Sequence, residues 1–282
     1  MMKPLYEWVA DNGKIMHYTD LIFPFMDSGF MYGYGVFETI RVHDGVACWV
    51  RDHLGRLEQS ARVLGVPYSV AYEHCEVLID ALIEKNNVNA GILNVYVTPG
   101  DGTEKREGRC CMVIRKTDAG HAAKRVRLAL RQHRYPRQGL DCHKTLSWLK
   151  PVLDGKGHSY DDVLLYTEDG IITETTRSNV FLYDGTTVVT PKIETVVPGI
   201  MRHKVMEVVH ELGLTFSERD IHIDELKTMT EIGVSNMIRG VQCVASVEGL
   251  NGGFEGKIMR NLDKKIMKKI ENEIIKKKKK IS

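Results

Sequence analysis

The sequence predicts an α+β (mixed α/β) chain in two subdomains, a smaller N-terminal one and a larger C-terminal one with a mixed sheet. Three observations predict it. Short strand patterns alternate with helical ones along the whole chain, a polar stretch at 117–124 containing Gly120 interrupts them, and the alternation then restarts without an exact internal repeat. The boundaries read 1–120 and 125–282.

Each element has a local reason. Ile15–Tyr18 and Phe37–Val42 have strand character. Asp44-Gly45 marks a hairpin turn between Thr39–Val42 and Ala47–Val50. Leu54, Leu57, Ala61 and Leu64 then recur at helical spacing over 52–64, with Gly65 as the stop. A second helix fits 70–87, followed by strands at 92–97 and 111–114. After the linker come a strand at 126–131, a short helix near 146–154, and strands at 163–167 and 179–183. Pro198-Gly199 opens a helix over 200–212 that Gly213 closes, before strands at 232–235 and 243–247. Ile258, Leu262, Ile266, Ile270 and Ile274 form one stripe of a terminal amphipathic helix.

Charge excludes several classes of function. The chain has 282 residues, with 39 Lys and Arg against 37 Asp and Glu. That near balance conceals an asymmetry: residues 257–282 hold eleven Lys or Arg and three acids, so the remaining 256 are mildly acidic. A basic nucleic-acid surface spread over the fold is therefore not expected. Lys276 to Lys280 read as a frayed, solvated end. No apolar run approaches the length of a membrane span, and the start lacks a signal-peptide pattern. Six cysteines without C-x-x-C spacing argue against a zinc site or disulfide framework and for a reducing, cytoplasmic setting.

Few motifs carry chemistry alone. Gly33-Tyr34-Gly35 fits neither nucleotide-loop pattern and reads as a turn. There is no H-E-x-x-H and no G-x-S-x-G. Pro198-Gly199 before a helix is a plausible phosphate cup, because the first amides of a helix lack partners within it. Glu174 follows the Asp169-Gly170 turn among Thr, Ser and Asn residues.

Taken in order, a set of short segments resembles the fold-type IV pyridoxal-phosphate enzymes, the class IV aminotransferase family. They are Tyr32 to Val42, His53-Leu54-Gly55-Arg56-Leu57, Lys144-Thr145-Leu146, Asp169-Gly170, Glu174, Ser178-Asn179-Val180-Phe181, Thr190-Pro191 and Gly199-Ile200-Met201-Arg202. The family includes branched-chain aminotransferases, D-amino acid aminotransferases and aminodeoxychorismate lyases. The resemblance implies pyridoxal 5'-phosphate as cofactor. Lys144 would bind it covalently and then move the proton at the substrate carbon. Glu174 would pair with the pyridine nitrogen, Arg56 would hold the phosphate, and the amides of Ile200 and Met201 would complete the phosphate cup. Asn236 is expected beside the cofactor as well.

Three positions resemble the lyase branch: Met201 in place of a hydroxyl residue, Asn236 followed by Met237 and Ile238, and Thr39, which would assist elimination. The expected reaction is loss of pyruvate from 4-amino-4-deoxychorismate to give 4-aminobenzoate, with a D-amino acid or broad-specificity aminotransferase as the alternative. Trp148 stands where branched-chain enzymes have tyrosine, and Ser147 replaces a frequent asparagine. Pro99 occupies the place of an arginine that is a candidate carboxylate ligand, leaving Arg106, Arg109 or Arg239 as substitutes. A small-molecule substrate and a homodimer are expected, with Phe23, Phe25, Phe30 and Met31 either at its interface or in the core. Neither nucleic acid nor membrane is expected as a partner.

Overall fold

The computed structural model describes residues 5–67, 72–101, 108–117, 125–133, 139–250 and 253–281. It divides into two compact units. The first comprises residues 1–120 together with 143–148 and 270–282, and the second comprises 121–142 and 149–269. Most of the linker expected at 117–124 lies outside the described residues.

The first unit is built on β1 (Trp8–Asp11), β2 (Lys14–His17), β3 (Val36–His43), β4 (Val46–Ala47), β5 (Ala90–Thr98) and β6 (Arg109–Lys116). They form one antiparallel sheet in the order β2-β1-β6-β5-β3-β4. Asp44 and Gly45 both have positive φ (50° and 76°), as a tight turn matching strand twist requires. The expected strand at 47–50 is shorter than its pattern, because α2 (Val50–Leu64), the helix after the short α1 (Ser28–Tyr32), starts at Val50. Gly65, at φ 65°, closes α2 by donating to the carbonyls of Ala61 and Arg62. With α3 (Tyr72–Lys85), α2 covers one sheet face, burying Leu54, Leu57, Ile79 and Leu82 against Ile40, Leu93, Met112 and Ile114. Alternation along β6 sends Cys110 into this core and Cys111 to the other face beside Val9 and Val113.

The second unit carries β7 (Val126–Gln132), β8 (Asp162–Tyr166), β9 (Ile172–Thr175), β10 (Asn179–Tyr183), β11 (Thr187–Thr190), β12 (Thr215–Glu218), β13 (Glu231–Asn236) and β14 (Gly240–Val247). Their order is β12-β11-β10-β13-β14-β7-β8-β9. The pairs β11–β12, β14–β7 and β7–β8 are parallel and the rest antiparallel, so the sheet is mixed. Two helices belong wholly to this unit: α4 (Leu149–Asp154) and α5 (Ile200–Glu211). The fold class is therefore as expected.

The last helix, here called α6, runs over Lys257–Ile281, with its first half in the second unit and its last turns in the first. Glu231, itself buried, accepts from the amides of Ile258 and Met259 at 2.9 and 3.0 Å, placing a carboxylate on the helix start. Met259, Leu262, Ile266, Ile270 and Ile274 are buried, so the stripe starts at Met259 rather than Ile258. The basic end differs from the expected frayed tail. It stays helical because Lys277 meets Asp80 at 2.7 Å and Lys278 meets Asp44 at 2.6 Å. Among the described residues, no helix is long and apolar enough to cross a membrane.

Candidate active site

In the first unit the segment 143–148 docks along β3. The Phe37 amide donates to the Lys144 carbonyl at 3.0 Å, and the Leu146 amide donates to the Gly35 carbonyl at 2.9 Å. Gly35 permits this approach: a Cβ there would lie 2.5 Å from the Val97 carbonyl oxygen and 2.7 Å from Leu146. What reads in the sequence as a simple Gly-Tyr-Gly turn is thus the seat of the Lys144 segment. His143 is tied to the same unit through Ser60, with Nδ1 and Oγ 3.1 Å apart.

The Lys144 side chain is half-buried among aromatic rings. Its Nζ lies 4.2 Å from the Phe37 ring centroid and 4.8 Å from that of Trp148, and the two rings meet edge to face at 5.6 Å. Thr39 is two residues beyond Phe37 on the same strand, hence on the same face. Asn94, opposite it on β5, donates through Nδ2 to Thr39 Oγ1 at 3.0 Å and to the Glu38 carbonyl at 3.0 Å. Asn94 thus uses one of the two Thr39 lone pairs, and the hydroxyl keeps its proton and one further lone pair for a substrate.

Arg56 is engaged by Glu38. Its Nε and Nη2 donate to the two carboxylate oxygens at 2.7 and 2.8 Å, and His53 Nδ1 lies 2.7 Å from Oε2. Burial pushes the Glu38 carboxyl up, but the charges and hydrogen bonds of Arg56 and His53 outweigh it and hold the group far below the usual carboxylate range. Burial pushes His53 down despite Glu38. Glu38 is therefore the ionised member of the cluster, held by the Arg56 guanidinium with His53 Nδ1 in hydrogen-bond contact. Nothing in the sequence singled out Glu38 or Asn94, because neither motif nor spacing shows that strand position 38 meets helix positions 53 and 56.

The second unit builds a separate constellation. Glu174, 4% exposed on β9, accepts from Asn179 Nδ2 at 3.1 Å and from the Val197 amide at 3.2 Å. Asn179 also donates to the Val197 carbonyl at 2.9 Å, so one amide fixes both the acid and the approach to α5. Gly199 caps α5 without a side-chain bond, and the first intrahelical bond is made by His203 to Gly199 at 3.1 Å. The amides of Ile200 and Met201 therefore precede the helical ladder. A Cβ on Gly199 would overlap Asn179 Oδ1. Asn236 donates to Ser178 Oγ at 2.9 Å and accepts from the amides of Ile238 and Arg239. Ser235, opposite Asn179 in the β10–β13 register, is buried, and its hydroxyl has no partner among the described residues. A buried hydroxyl without a partner, an uncapped helix start and a glycine packed onto Asn179 together suit a phosphate-bearing group with a basic ring.

Lys144, Thr39 and Arg56 thus belong to the first unit, and Glu174, Ile200, Met201 and Asn236 to the second. Phe23, Phe25, Phe30 and Met31 are not core residues of the chain. They are 45%, 69%, 62% and 38% exposed.

The mixed sheet, the uncapped α5 and the buried acid define a class of protein, and comparison with known proteins agrees. The family model for amino-transferase class IV matches residues 35–247, and the chain belongs to that family. Among curated relatives, it is 25% identical over 270 residues to a D-alanine aminotransferase of Bacillus licheniformis, covering 90% of this chain and 94% of that one. It is also 25% identical over 255 residues to an aminodeoxychorismate lyase of Bacillus subtilis, covering 86% and 87%. Among solved structures, the branched-chain amino acid aminotransferase of Escherichia coli superposes with a TM-score of 0.86 at 21% identity, covering 94% and 95%.

Proposed function

We propose that the chain is a 4-amino-4-deoxychorismate lyase that releases pyruvate from its substrate and leaves 4-aminobenzoate, a folate precursor. The cofactor is pyridoxal 5'-phosphate. The observation that carries the lyase reading is Thr39. Its hydroxyl lies on the sheet face that bears Phe37, over which the Lys144 amine sits, and it accepts from Asn94 with its own proton still available to donate.

Lys144 would hold the cofactor through its amine and would take the proton from the amine-bearing carbon of the substrate. When bound, the cofactor supplies an electron sink for the charge left on that carbon. Glu174 would hold the pyridine nitrogen in its protonated form, and Asn179 and the Val197 amide hold Glu174 in place. The α5 amides of Ile200 and Met201 bind the phosphate, with the Ser235 hydroxyl and Asn236 beside them. Arg56, oriented by Glu38, is the cation that would hold the phosphate. Thr39 gives its proton to the oxygen of the departing enolpyruvyl group. As the C–O bond breaks, the electron pair left on the amine-bearing carbon forms the third ring double bond, and the released enolpyruvate tautomerises to pyruvate.

The exposed apolar surface around Phe25, Phe30 and Tyr32 supports a homodimer, and free cysteines suit a cytoplasmic enzyme. The deciding experiment is product analysis: purified protein with cofactor and aminodeoxychorismate yields 4-aminobenzoate and pyruvate in equal amounts. Absence of both, with amino transfer from D-alanine to 2-oxoglutarate, establishes the aminotransferase instead.

A further inference from the structure

Pro99 cannot bind a carboxylate, and the arginines expected to replace it differ in what holds them. Arg109 is 7% exposed and committed to Asp11 through Nε and Nη2 at 2.7 and 3.0 Å, and to the Ile22 carbonyl at 2.7 Å. Arg106 lies outside the described residues. Arg239 is exposed at the turn between β13 and β14 of the second unit.

Arg115 is in a different position. The register pairs Thr39 with Asn94, Asn94 with Val113, and Ile92 with Arg115, so Arg115 points from the same face as Phe37, Thr39, Asn94 and Tyr96. Its Nε donates to Asn94 Oδ1 at 2.8 Å, bringing the guanidinium back over β5. There its charge reaches Tyr96, whose ring stacks on Phe37 with centroids 6.0 Å apart. Among the described residues, no carboxylate pairs with Arg115, although it is half-buried. A partly desolvated guanidinium that, among the described residues, is held by a neutral amide is a ready receptor for an anion.

We propose that Arg115 is the substrate-carboxylate ligand and the residue that sets specificity, a proposal that rests on reading Lys144 as the reactive amine. The substrate carries its amine at one end of a ring and a carboxylate at the opposite end. Lys144 lies over the Phe37 ring of β3, and Arg115 Nε is held at Asn94 of β5, on the neighbouring strand (~4.8 Å away) and two residues along it from Tyr96, the partner of Phe37. Asn94 occupies Nε, which leaves the two terminal nitrogens as the edge presented to a carboxylate. The same asparagine orients the Thr39 hydroxyl, so carboxylate binding and leaving-group protonation share one support. An α-amino acid, with carboxylate and amine on one carbon, does not span the two groups.

The test uses the cofactor-loaded protein and calorimetric titration with 4-aminobenzoate and with its neutral amide, 4-aminobenzamide. The wild type is expected to prefer the carboxylate by at least about tenfold, Arg115→Gln to lose that preference, and Arg115→Lys to keep part of it, as a point charge without the planar fork. Cofactor absorbance in the ~400–430 nm range checks that each variant is folded and loaded. An Arg115→Gln protein that retains the preference, or a wild type that shows none, overturns the proposal. Pyruvate release from aminodeoxychorismate is measured separately. A wild type that binds the carboxylate through Arg115 but releases no pyruvate supports Arg115 and sinks the lyase.

Discussion

Phe37 and Lys144 are joined twice: the Phe37 amide donates to the Lys144 carbonyl at 3.0 Å, and the Lys144 Nζ lies 4.2 Å from the Phe37 ring centroid. Backbone and side chain of the proposed nucleophile are thus positioned by one residue of β3. Phe37→Ala keeps the backbone bond and removes the wall. Because misplacement by about 1 Å can cost ~100-fold, kcat is expected to fall between about 10- and 100-fold. Lys144→Ala instead abolishes both turnover and the cofactor's visible absorbance. Steady-state kinetics with absorbance spectra separate the two, and a Phe37→Ala enzyme with normal kcat would show that the ring does not position the amine.

Glu38 is expected to be critical for stability rather than for chemistry alone. It is fully buried between Arg56 and His53, so Glu38→Gln leaves the Arg56 guanidinium in a largely buried site without its counter-charge. Breaking one partner of such a pair costs about 3–5 kcal/mol. Urea unfolding measures it, and a loss below about 1 kcal/mol would place Arg56 in a more solvated setting than the structure shows.

The same cluster fixes a pH dependence. His53 has a lowered pKa in the fold, so below about pH 6.5 the unfolded chain binds a proton that folded His53 does not. That contribution to stability is present above the unfolded pKa and declines as pH falls below it. Glu38, also lowered, adds a second decline that begins below its ordinary value of 4.5. The free energy of unfolding is therefore expected to drop between pH 7.5 and 5.5, and to drop less in His53→Asn, whose amide still donates to Glu38 without titrating. Equal slopes in the two proteins would rule out His53 as the source.

These relationships show where the sequence is legible and where it is not. The Leu54, Leu57, Ala61, Leu64 spacing and the Gly65 stop place α2 to within two residues, because a helix with one buried face writes its period into the chain. Glu174 and the α5 start stand out for a similar local reason: a turn, a strand and a Pro-Gly pair occur in close succession. Lys144 is different. Its neighbours Phe37 and Gly35 are more than a hundred positions away, and only the family pattern distinguishes it from the other lysines. Of the five four-residue strands, β1, β9, β11 and β12 are too short to register a period, and only β2 shows in the pattern at 15–18. The lysines at 277 and 278 read as solvent-facing because their partners, Asp80 and Asp44, are about two hundred residues away.

Glu231 offers a test of how α6 is anchored. Both carboxylate oxygens accept helix-start amides, so Glu231→Gln removes one acceptor and the favourable charge at the helix N-terminus. The expected loss is about 1–2 kcal/mol by denaturant unfolding, with cofactor absorbance unchanged. Gly233, on which Met259 packs so closely that a Cβ would sit 2.6 Å from its sulfur, supplies the companion variant. Gly233→Ala is expected to destabilise the same contact through overpacking, by about 1–3 kcal/mol.

Gly199 tests the second unit's half of the proposed cofactor site. Its φ of −65° is ordinary for any residue, so Gly199→Ala carries no backbone strain. The added methyl instead falls on Asn179 Oδ1, and Asn179 must turn away. Turning it removes the Nδ2 bonds to Glu174 and to the Val197 carbonyl together. Glu174 then keeps the Val197 amide, but loses the side chain that aims it. Cofactor affinity, read by titrating apoprotein with pyridoxal 5'-phosphate, is expected to fall about tenfold or more, since a residue that aims a ligand-holding group commonly contributes on that order. Asn179→Ala should reproduce the loss, and adding it to Gly199→Ala should cost little more, because both act through one amide. Additive losses would mean that the methyl acts on the α5 amides directly and that Asn179 is not the link.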